Sequence, residues 1–327
     1  MEIDGGKESF RVLVSTDLGG DPDDIQSLVH LLHYSDILKV EGIVSTTGPG
    51  SNPTLELIKE WIKRVDLNYL RENGYPELMA EKDVLSAVKR GSVRPGGPGA
   101  GKNTEGSEWI VKRASANAGA PLWLLVWGSL TDVAQALHDR PSIKDEIRIY
   151  SIGSSNTEND RESRDYLFEG LQEEWPYLWW IENGILPKFS HETFRGYYLG
   201  GKQDGEWGNR TFVEENIRDK GTKGGGEFDR KLGDAFPLAG APGDIEGILK
   251  EGDSPSFLYL LSSAIGDIGD VEDPTTESWG GRFRRPYPAT YPNYYSDLEE
   301  EAERCQATIN RWRTDYLKDW KRRWRRY

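Results

Sequence analysis

The first half of the chain alternates between short apolar runs and segments whose apolar residues recur every three or four positions. The short runs are rich in leucine and β-branched residues, which predicts buried strands. They cover residues 10–15, 38–46, 122–127 and 147–152. The periodic segments between them predict helices, one of which opens at Thr54. Because strand and helix alternate, the sequence predicts an α/β fold in which right-handed βαβ units form a mostly parallel sheet.

The pattern is less regular in the second half. Residues 175–184 are rich in aromatic side chains and are interpreted as a helix packed on the sheet. Residues 200–240 combine glycines and charges with weak periodicity, which favours a lid or a binding loop. Residues 91–106 contain GPGAGKNT, but no apolar strand precedes them, so a surface loop is favoured over a phosphate site.

A long amphipathic stretch closes the chain. Ser296 and Glu299 have the spacing of a capping box, and apolar residues then recur every three or four positions. This pattern predicts one packing helix over residues 296–325, with Cys305 on its buried stripe. Since no internal repeat or linker interrupts the sequence, we expect a single domain over residues 1–327.

The chain is acidic, with 55 Asp and Glu against 41 Lys and Arg and a formal net charge of −14. Such a surface repels phosphate groups, so neither nucleic acid nor an anionic membrane is expected as a partner. No apolar run approaches the roughly 20 residues of a membrane helix. The polar N-terminal segment lacks the apolar region of a signal peptide. As given, the chain is expected to be soluble and cytoplasmic, or secreted if a leader was removed.

Two residue counts narrow the ligand class. A single cysteine excludes a disulfide framework and a cysteine-based zinc site. Twelve tryptophans favour a carbohydrate-type ligand, because aromatic faces stack on sugar rings, although Trp also fills cores. We therefore expect a small molecule or an oligosaccharide as substrate, and the composition is compatible with a homo-oligomer.

Candidate chemistry is concentrated in residues 15–24, STDLGGDPDD, between the first strand and the first helix. Four carboxylates fall within eight positions: Asp17, Asp21, Asp23 and Asp24. An ordinary helix N-cap accounts for one or two of them. Carboxylates crowded together repel, and a hard divalent ion bound through oxygens relieves that repulsion. In open α/β sheets, ligands bind at the carboxyl ends of the strands, where this loop lies.

Several motifs together resemble a known superfamily. STDLGGDPDDIQSL resembles the aspartate-rich first loop of the inosine-uridine type nucleoside hydrolases, and WGSLTDVAQAL resembles their third-strand motif. With EGDSPSFLYL and the late WGGR, the sequence resembles the nucleoside-hydrolase-like domain of the DUF1593 (Sde182 cellulose-binding protein) family. The resemblance covers about residues 10 to 285 and implies a Rossmann-like, doubly wound fold that holds Ca²⁺.

The resemblance also implies a set of site residues. Asp17 and Asp24 would be ligands of the ion, together with the backbone carbonyl of Trp127 and the carboxylate of Asp253. Asp23 would be the general base that activates the attacking water. Because the acidic loop is two residues longer than in ordinary nucleoside hydrolases, Asp21 remains an alternative base. Further candidates for substrate binding are Asp21, Thr47, Asn156, Trp207, Trp279 and Arg282.

One expected group is missing from the pattern. Ordinary nucleoside hydrolases carry a histidine directly before the late aspartate ligand, where it protonates the leaving base, and this chain has Gly252 there. The proton donor to the leaving group is therefore absent or relocated. Loop residues elsewhere in the sequence are candidates for this role: His191, Glu206, Glu251 and Glu277.

Three functions are compatible with these residues. The leading hypothesis is a Ca²⁺-dependent glycosidase that uses a metal-activated water and an Asp base to cleave an N- or O-linked furanoside. The second is a non-catalytic Ca²⁺-dependent carbohydrate-binding domain, which Gly252 and the tryptophans favour. The third is phosphoryl transfer with Mg²⁺, for which the usual Asp-x-Asp pair is lacking because Leu18 and Gly19 follow Asp17.

Overall fold

The computed structural model describes residues 9–19, 22–51, 54–116, 119–201, 203–221, 232–236 and 249–327. Within these ranges a seven-stranded sheet has the order β3-β2-β1-β4-β5-β6-β7, and every neighbouring pair is parallel. The strands are β1 Phe10–Thr16, β2 Leu38–Ser45, β3 Val88–Arg90, β4 Leu122–Val126, β5 Ile147–Ile152, β6 Trp179–Asn183 and β7 Tyr294–Ser296. The four predicted strands are confirmed to within one residue.

Helices connect the strands. They are α1 Pro22–Leu32, α2 Leu55–Val65, α3 Leu67–Glu72, α4 Glu81–Ser86, α5 Glu105–Ala114, α6 Thr131–Asp139, α7 Ser155–Asn159, α8 Arg161–Glu173, α9 Asn209–Asn216, α10 Pro255–Ile265, α11 Ala302–Asn310 and α12 Arg313–Trp324. Short 3₁₀ helices cover Pro141–Asp145, Thr193–Tyr197 and Leu232–Ala235. As predicted, Thr54 caps α2, because its side chain accepts a hydrogen bond from the backbone of Leu57.

Both faces of the sheet are covered, as the alternation along β1 requires. Val12 and Val14 belong to one buried core, which includes side chains of α1, α2, α10 and α12. Leu13 points the other way, into a second core with side chains of α5, α6 and α8. The sheet grows from β1 in both directions, so the chain changes direction between β1 and β4. The prediction of a doubly wound α/β sheet is confirmed, and a crevice is expected where these two strands end.

The interpretation of residues 175–184 as a helix is wrong, because they contain strand β6. Its successive aromatic residues serve opposite faces of the sheet: Trp179 lies in the core with α1, and Trp180 lies in the core with α5. Since a strand buried on both faces shows no polar alternation, its pattern is easily mistaken for that of a buried helix. Trp175, just before the strand, packs against Gly170 of α8.

The prediction of one helix over residues 296–325 is also wrong. Ser296 belongs to β7 and pairs with Glu182 of β6, so it cannot cap a helix. Helix α11 begins only at Ala302, and Arg311 and Trp312 separate it from α12. Both helices bury apolar side chains in the same core, which keeps the spacing continuous across the break. Cys305 is fully buried, as predicted.

Two segments were predicted as loops: one ends at the cap of a helix, and the other contains a helix. The segment GPGAGKNT ends in Thr104, which caps α5 and donates a hydrogen bond to Asp132 Oδ1. The segment predicted as a lid, residues 200–240, contains α9, while residues 202, 222–231 and 237–240 lie outside the described ranges. In the described part of the chain, no helix has both the length and the apolar character needed to span a bilayer.

Candidate functional site

A cleft of about 290 Å³ opens at the carboxyl ends of β1, β4 and β5. It occupies the crevice expected from the strand order. Its lining combines acids, two cations and a few apolar side chains: Asp17, Asp23, Asp24, Pro49, Trp127, Ile152, Gly153, Ser154, Ser155, Asn156, Phe194, Arg195, Tyr198, Lys250 and Asp253. Distant parts of the sequence therefore meet at one edge of the sheet.

Three carboxylates come together in this cleft. Asp23 and Asp24 stand in the first turn of α1, and Asp253 lies just before α10. Each offers one oxygen, and the three oxygens lie within 4.8 Å of one another. Hard divalent cations prefer such carboxylate oxygens. The described residues thus include an acidic cluster with the chemistry of a metal site.

Burial and like charge act together on Asp24. The side chain is buried, and Thr16 Oγ1 donates a hydrogen bond to Asp24 Oδ1. Burial raises the pKa of Asp24 well above its usual range, and the charges of Asp17 and Asp23 raise it further. A cation bound at these oxygens would offset both effects, which is the fit expected of a metal site.

Asp17 directly follows β1, and two glycines, Gly48 and Gly128, lie against its side chain. A β-carbon at Gly48 would lie 1.6 Å from Asp17 Oδ2, and one at Gly128 would lie 3.0 Å from the Asp17 β-carbon. The backbone of two neighbouring loops thus approaches this buried carboxylate as closely as only glycine allows. Asp17 lines the cleft, but the three mutually close oxygens come from Asp23, Asp24 and Asp253.

The carbonyl of Trp127, a predicted ligand, accepts a hydrogen bond of 2.6 Å from Asn156 Nδ2. Because a carbonyl oxygen has two lone pairs, one remains for a ligand. The indole of Trp127 donates to Ser256 Oγ at 2.9 Å, and Ser256 Oγ donates to the carbonyl of Asp253 at 2.7 Å. This buried chain of contacts ties the end of β4 to the segment that carries Asp253.

The remaining predicted substrate contacts lie elsewhere. Trp279 is buried in the core, Trp207 packs 6.4 Å from Phe212 between ring centroids, and Arg282 is exposed and donates to the Thr275 carbonyl. Thr47 is buried, and its carbonyl accepts from the backbone of Ser129. Within the described residues, none of Thr47, Trp207, Trp279 and Arg282 lines the cleft. Asp21 lies outside the described residues.

The candidate proton donors are also placed away from the cleft. Glu251 is fully buried, and its Oε2 lies 2.6 Å from His30 Nδ1. The other three contact different parts of the surface: His191 the carbonyl of Glu300, Glu206 the ammonium of Lys321, and Glu277 the guanidinium of Arg311. Among the described lining residues, none of these four appears.

Position 252 lies next to residues that line the cleft. A β-carbon there would lie 3.1 Å from Asp23 Oδ2 and 3.5 Å from Tyr198 Cε1. The site of the missing histidine is therefore next to the predicted base, and the ring of Tyr198 stands beside it. Arg195 Nη1 donates to the hydroxyl of Tyr198 at 2.9 Å.

Sequence reasoning missed Phe194, Arg195 and Tyr198. They lie in and just after the 3₁₀ helix Thr193–Tyr197, on the segment that follows β6. The aromatic run at residues 175–184 predicts a helix, so the sequence gives no strand end, and hence no expected ligand site, for this segment. The available signal was length, because the run Trp179–Asn183 has five residues and is short for a helix.

An all-parallel seven-stranded sheet with an acidic cluster at its carboxyl edge is the α/β arrangement in which ligands bind at the strand ends. The sequence matches the family described as cellulose-binding Sde182, nucleoside hydrolase-like domain, over residues 11–283. The chain belongs to this family, and the resemblance found in its motifs is confirmed.

Solved structures share the fold. A nucleoside hydrolase-related hypothetical protein from Saccharophagus degradans, associated with carbohydrate metabolism, is similar with a TM-score of 0.70 and 21% identity, over 97% of this chain and 72% of that chain. The inosine-uridine preferring nucleoside hydrolase from Bacillus anthracis is similar with a TM-score of 0.51 and 14% identity, over 96% of this chain and 99% of that chain. No curated protein gives a significant match to the sequence.

Proposed function

We propose that this protein is a Ca²⁺-dependent glycosidase of the nucleoside hydrolase superfamily that cleaves an N- or O-linked furanoside. The observation that carries the proposal is the trio of carboxylate oxygens within 4.8 Å of one another, at the edge of the sheet where α/β proteins bind ligands. Membership of a nucleoside hydrolase-like family supports the same superfamily.

The donor set fits calcium. Asp17, Asp24, Asp253 and the carbonyl of Trp127 would hold the ion, since all line one cleft and all offer oxygen. Ca²⁺ accepts about six to eight oxygens in flexible geometry, which suits a site built from loops and one backbone carbonyl. When bound, the ion would neutralise the acids and supply Lewis-acid chemistry to the attacking water and the sugar hydroxyls.

Asp23 is the proposed general base. It is half-buried in the first turn of α1 and lines the cleft. In the reaction, water adds its oxygen to the anomeric carbon and gives a proton to Asp23, while the bond to the leaving group breaks. The leaving group takes the bonding electrons and needs a proton. Tyr198, beside Asp23 across Gly252, is the proposed donor of that proton.

The test is a panel of furanosides and nucleosides assayed with Ca²⁺ and with EDTA. Asp23→Asn should lose at least about a hundredfold in kcat, because general-base catalysis contributes 10²–10⁴-fold. Asp17→Ala should lose calcium affinity as well. Asp83→Asn, an exposed aspartate on α4, is the matched control and should behave as the parent. Equal hydrolysis by the parent and by Asp23→Asn would overturn the proposal.

One observation favours a second candidate, a calcium-dependent carbohydrate-binding domain without catalysis. The leaving-group histidine is replaced by Gly252, and the family description names cellulose binding. Calorimetry separates the two functions. Binding of sugar that requires Ca²⁺, with no released sugar after long incubation, would favour the binding domain over the glycosidase.

A further inference from the structure

A second cavity, of about 280 Å³, lies between α8, the segment after β6, and the strand β7. Its lining is Arg161, Arg164, Asp165, Phe168, Ile185, Leu186, Arg284, Pro286, Tyr287, Tyr294 and Ser296. We call it the arginine cleft. We call the first cavity, whose lining includes Asp17, Asp23, Asp24 and Asp253, the acidic cleft. The two cavities share no lining residue, although both open near the carboxyl ends of the strands.

The three arginines of this cavity differ in how firmly other residues hold them. Arg164 is committed to the buried carboxylate of Glu182, which it binds through Nε at 2.9 Å and Nη2 at 2.8 Å. Tyr294 Oη donates to the same carboxylate at 2.6 Å. A buried ion pair that is fully hydrogen-bonded holds its members in place, so this group forms a fixed wall.

The other two arginines are available to a ligand. Arg284 Nε donates to the Asp297 carbonyl at 3.2 Å, which leaves its two terminal nitrogens. Of these, Nη1 lies 2.7 Å from Glu299, whose side chain is 77% exposed, and such a surface pair is weak. Arg161 is exposed at the start of α8 and forms no hydrogen bond or ion pair within the described residues. One carboxylate, Asp165, also lines the cavity. In a chain of net charge −14, two available guanidinium groups facing one cavity mark a local site for an anion.

An aromatic wall stands beside these cations. Tyr287 is 44% exposed, which is high for a large side chain. Its ring is held by neighbours: the centroid lies 5.4 Å from that of Tyr291 and 6.2 Å from those of Phe168 and Tyr294. A ring fixed in this way gives contact area at little cost in conformational entropy. The apolar face of a sugar ring packs on such a surface.

We propose that the arginine cleft binds a carbohydrate that carries a carboxylate, such as a uronic acid unit. The sugar ring packs on Tyr287, and the carboxylate is bound by Arg161 and Arg284. Guanidinium is the suitable cation because its planar fork matches the two oxygens of a carboxylate. The volume of about 280 Å³ is near the lower end of the range for small-ligand sites, which suits one or two sugar rings. The proposal is independent of catalysis in the acidic cleft.

The experiment is a calorimetric titration of the full chain in EDTA, so that calcium in the acidic cleft plays no part. The probes are glucuronate, a short oligogalacturonate, glucose and glucose 6-sulfate. The uronates should bind at least about tenfold more tightly than glucose, and their affinity should fall with added salt because the contact is ionic. Tighter binding of the sulfate than of glucuronate would overturn the assignment of the carboxylate.

Variants localise the binding. Arg161→Ala removes a side chain without partners in the described structure, so the fold should persist, and uronate affinity should fall about tenfold, as for a lost charge-assisted pair. Tyr287→Ala should weaken uronate and glucose alike. Arg304→Ala, on α11 with a side chain 77% exposed, is the control and should bind as the parent. Unchanged uronate affinity in both Arg161→Ala and Tyr287→Ala would overturn the proposal.

Discussion

Gly48 touches the carboxylate of Asp17 so closely that a β-carbon at residue 48 would lie 1.6 Å from Asp17 Oδ2. The two residues follow neighbouring parallel strands, since Thr16 of β1 pairs with Ser45 of β2. The loop after β2 therefore fixes the position of an acid that the loop after β1 provides. Glycine at residue 48 therefore leaves the space that the Asp17 carboxylate occupies in the acidic cleft.

This contact predicts the effect of Gly48→Ala. The new methyl group must displace the Asp17 carboxylate or the loop, so Ca²⁺ affinity should fall at least about tenfold, as when an outer partner of a metal ligand is changed. Calorimetric titration with Ca²⁺ measures the change. In Gly99→Ala, a β-carbon would meet only the flexible side chain of Lys102, at 3.4 Å, so this variant should bind as the parent. Equal affinity in the two variants would contradict the role of Gly48.

Asp24→Asn should separate ion binding from folding. Asparagine keeps an oxygen to accept the hydrogen bond from Thr16, and it removes a buried charge that Asp17 and Asp23 repel. Without divalent ions, we therefore expect Asp24→Asn to be as stable as the parent or more stable. At 100 times Kd, Ca²⁺ should stabilise the parent by about 2.7 kcal/mol and the variant much less.

Thermal unfolding with EDTA and then with Ca²⁺ checks both halves of this prediction. Asp83→Asn again serves as the control, because its carboxylate is exposed on α4. A variant that unfolds at a lower Tm in EDTA but keeps the full calcium shift would show that Asp24 supports the fold and not the ion.

Gly252→His should restore part of nucleoside hydrolysis if the proposed function holds. Position 252 lies between Asp23 and Tyr198, so an imidazole there could donate a proton to a leaving base. General-acid catalysis contributes about 10²–10⁴-fold, and we expect at least a hundredfold gain in kcat/KM for inosine over Gly252→Ala. The alanine variant controls for crowding against Asp23. If the two variants cleave inosine at the same rate, position 252 has no access to the leaving group.

His33 should make the fold sensitive to acid. Burial lowers the pKa of His33 well below its usual 6.5, and the charges of His30 and Arg323 lower it further. The Trp320 indole donates to His33 Nδ1 at 2.9 Å, so the folded state holds the neutral imidazole. The unfolded chain takes up a proton near pH 6.5, whereas the folded chain does so only at lower pH. The stability due to His33 is therefore present above pH 6.5 and is lost as the pH falls towards the folded pKa.

Urea unfolding at several pH values between 7 and 5 measures this loss. One proton corresponds to a slope of at most about 1.4 kcal/mol per pH unit. His33→Asn should have the shallower slope, since it cannot take up that proton. His138→Asn, at a histidine that is 36% exposed, is the control for the substitution itself. Parallel curves for the parent and His33→Asn would refute the prediction.

The sequence by itself determined the elements whose signals are local. The runs that became β1, β2, β4 and β5 are short, apolar and bounded by polar loops, and each was found within one residue of its observed bounds. The acidic loop at residues 15–24 is recognisable because it has four carboxylates within eight positions, more than an ordinary helix N-cap accounts for. These features depend on residues close together in the chain, whereas the strand order β3-β2-β1-β4-β5-β6-β7 is decided by the tertiary structure.

Only the tertiary structure decided whether each predicted aromatic contact lies in the cleft or is packed against other parts of the protein. Trp279 and Trp207 were predicted to contact substrate, but the core covers the first, and packing against Phe212 holds the second. Whether an indole fills a core or binds a sugar depends on what distant segments place against it. The same holds for β6. Its apolar run has the pattern of a buried helix, and its packing in the cores on both faces of the sheet shows that it is a strand.

In the acidic cleft, too, some residues are close because they are neighbours in sequence, and others are brought together by tertiary packing. Asp23 and Asp24 are adjacent in sequence, so their closeness is local. Asp253 joins them because α10 packs on the same face of the sheet as α1. Arg195 and Tyr198 lie on the segment that follows β6, a strand whose pattern predicts a helix. A sequence can specify the chemical groups of a site, but their meeting depends on long-range packing, which local patterns do not encode.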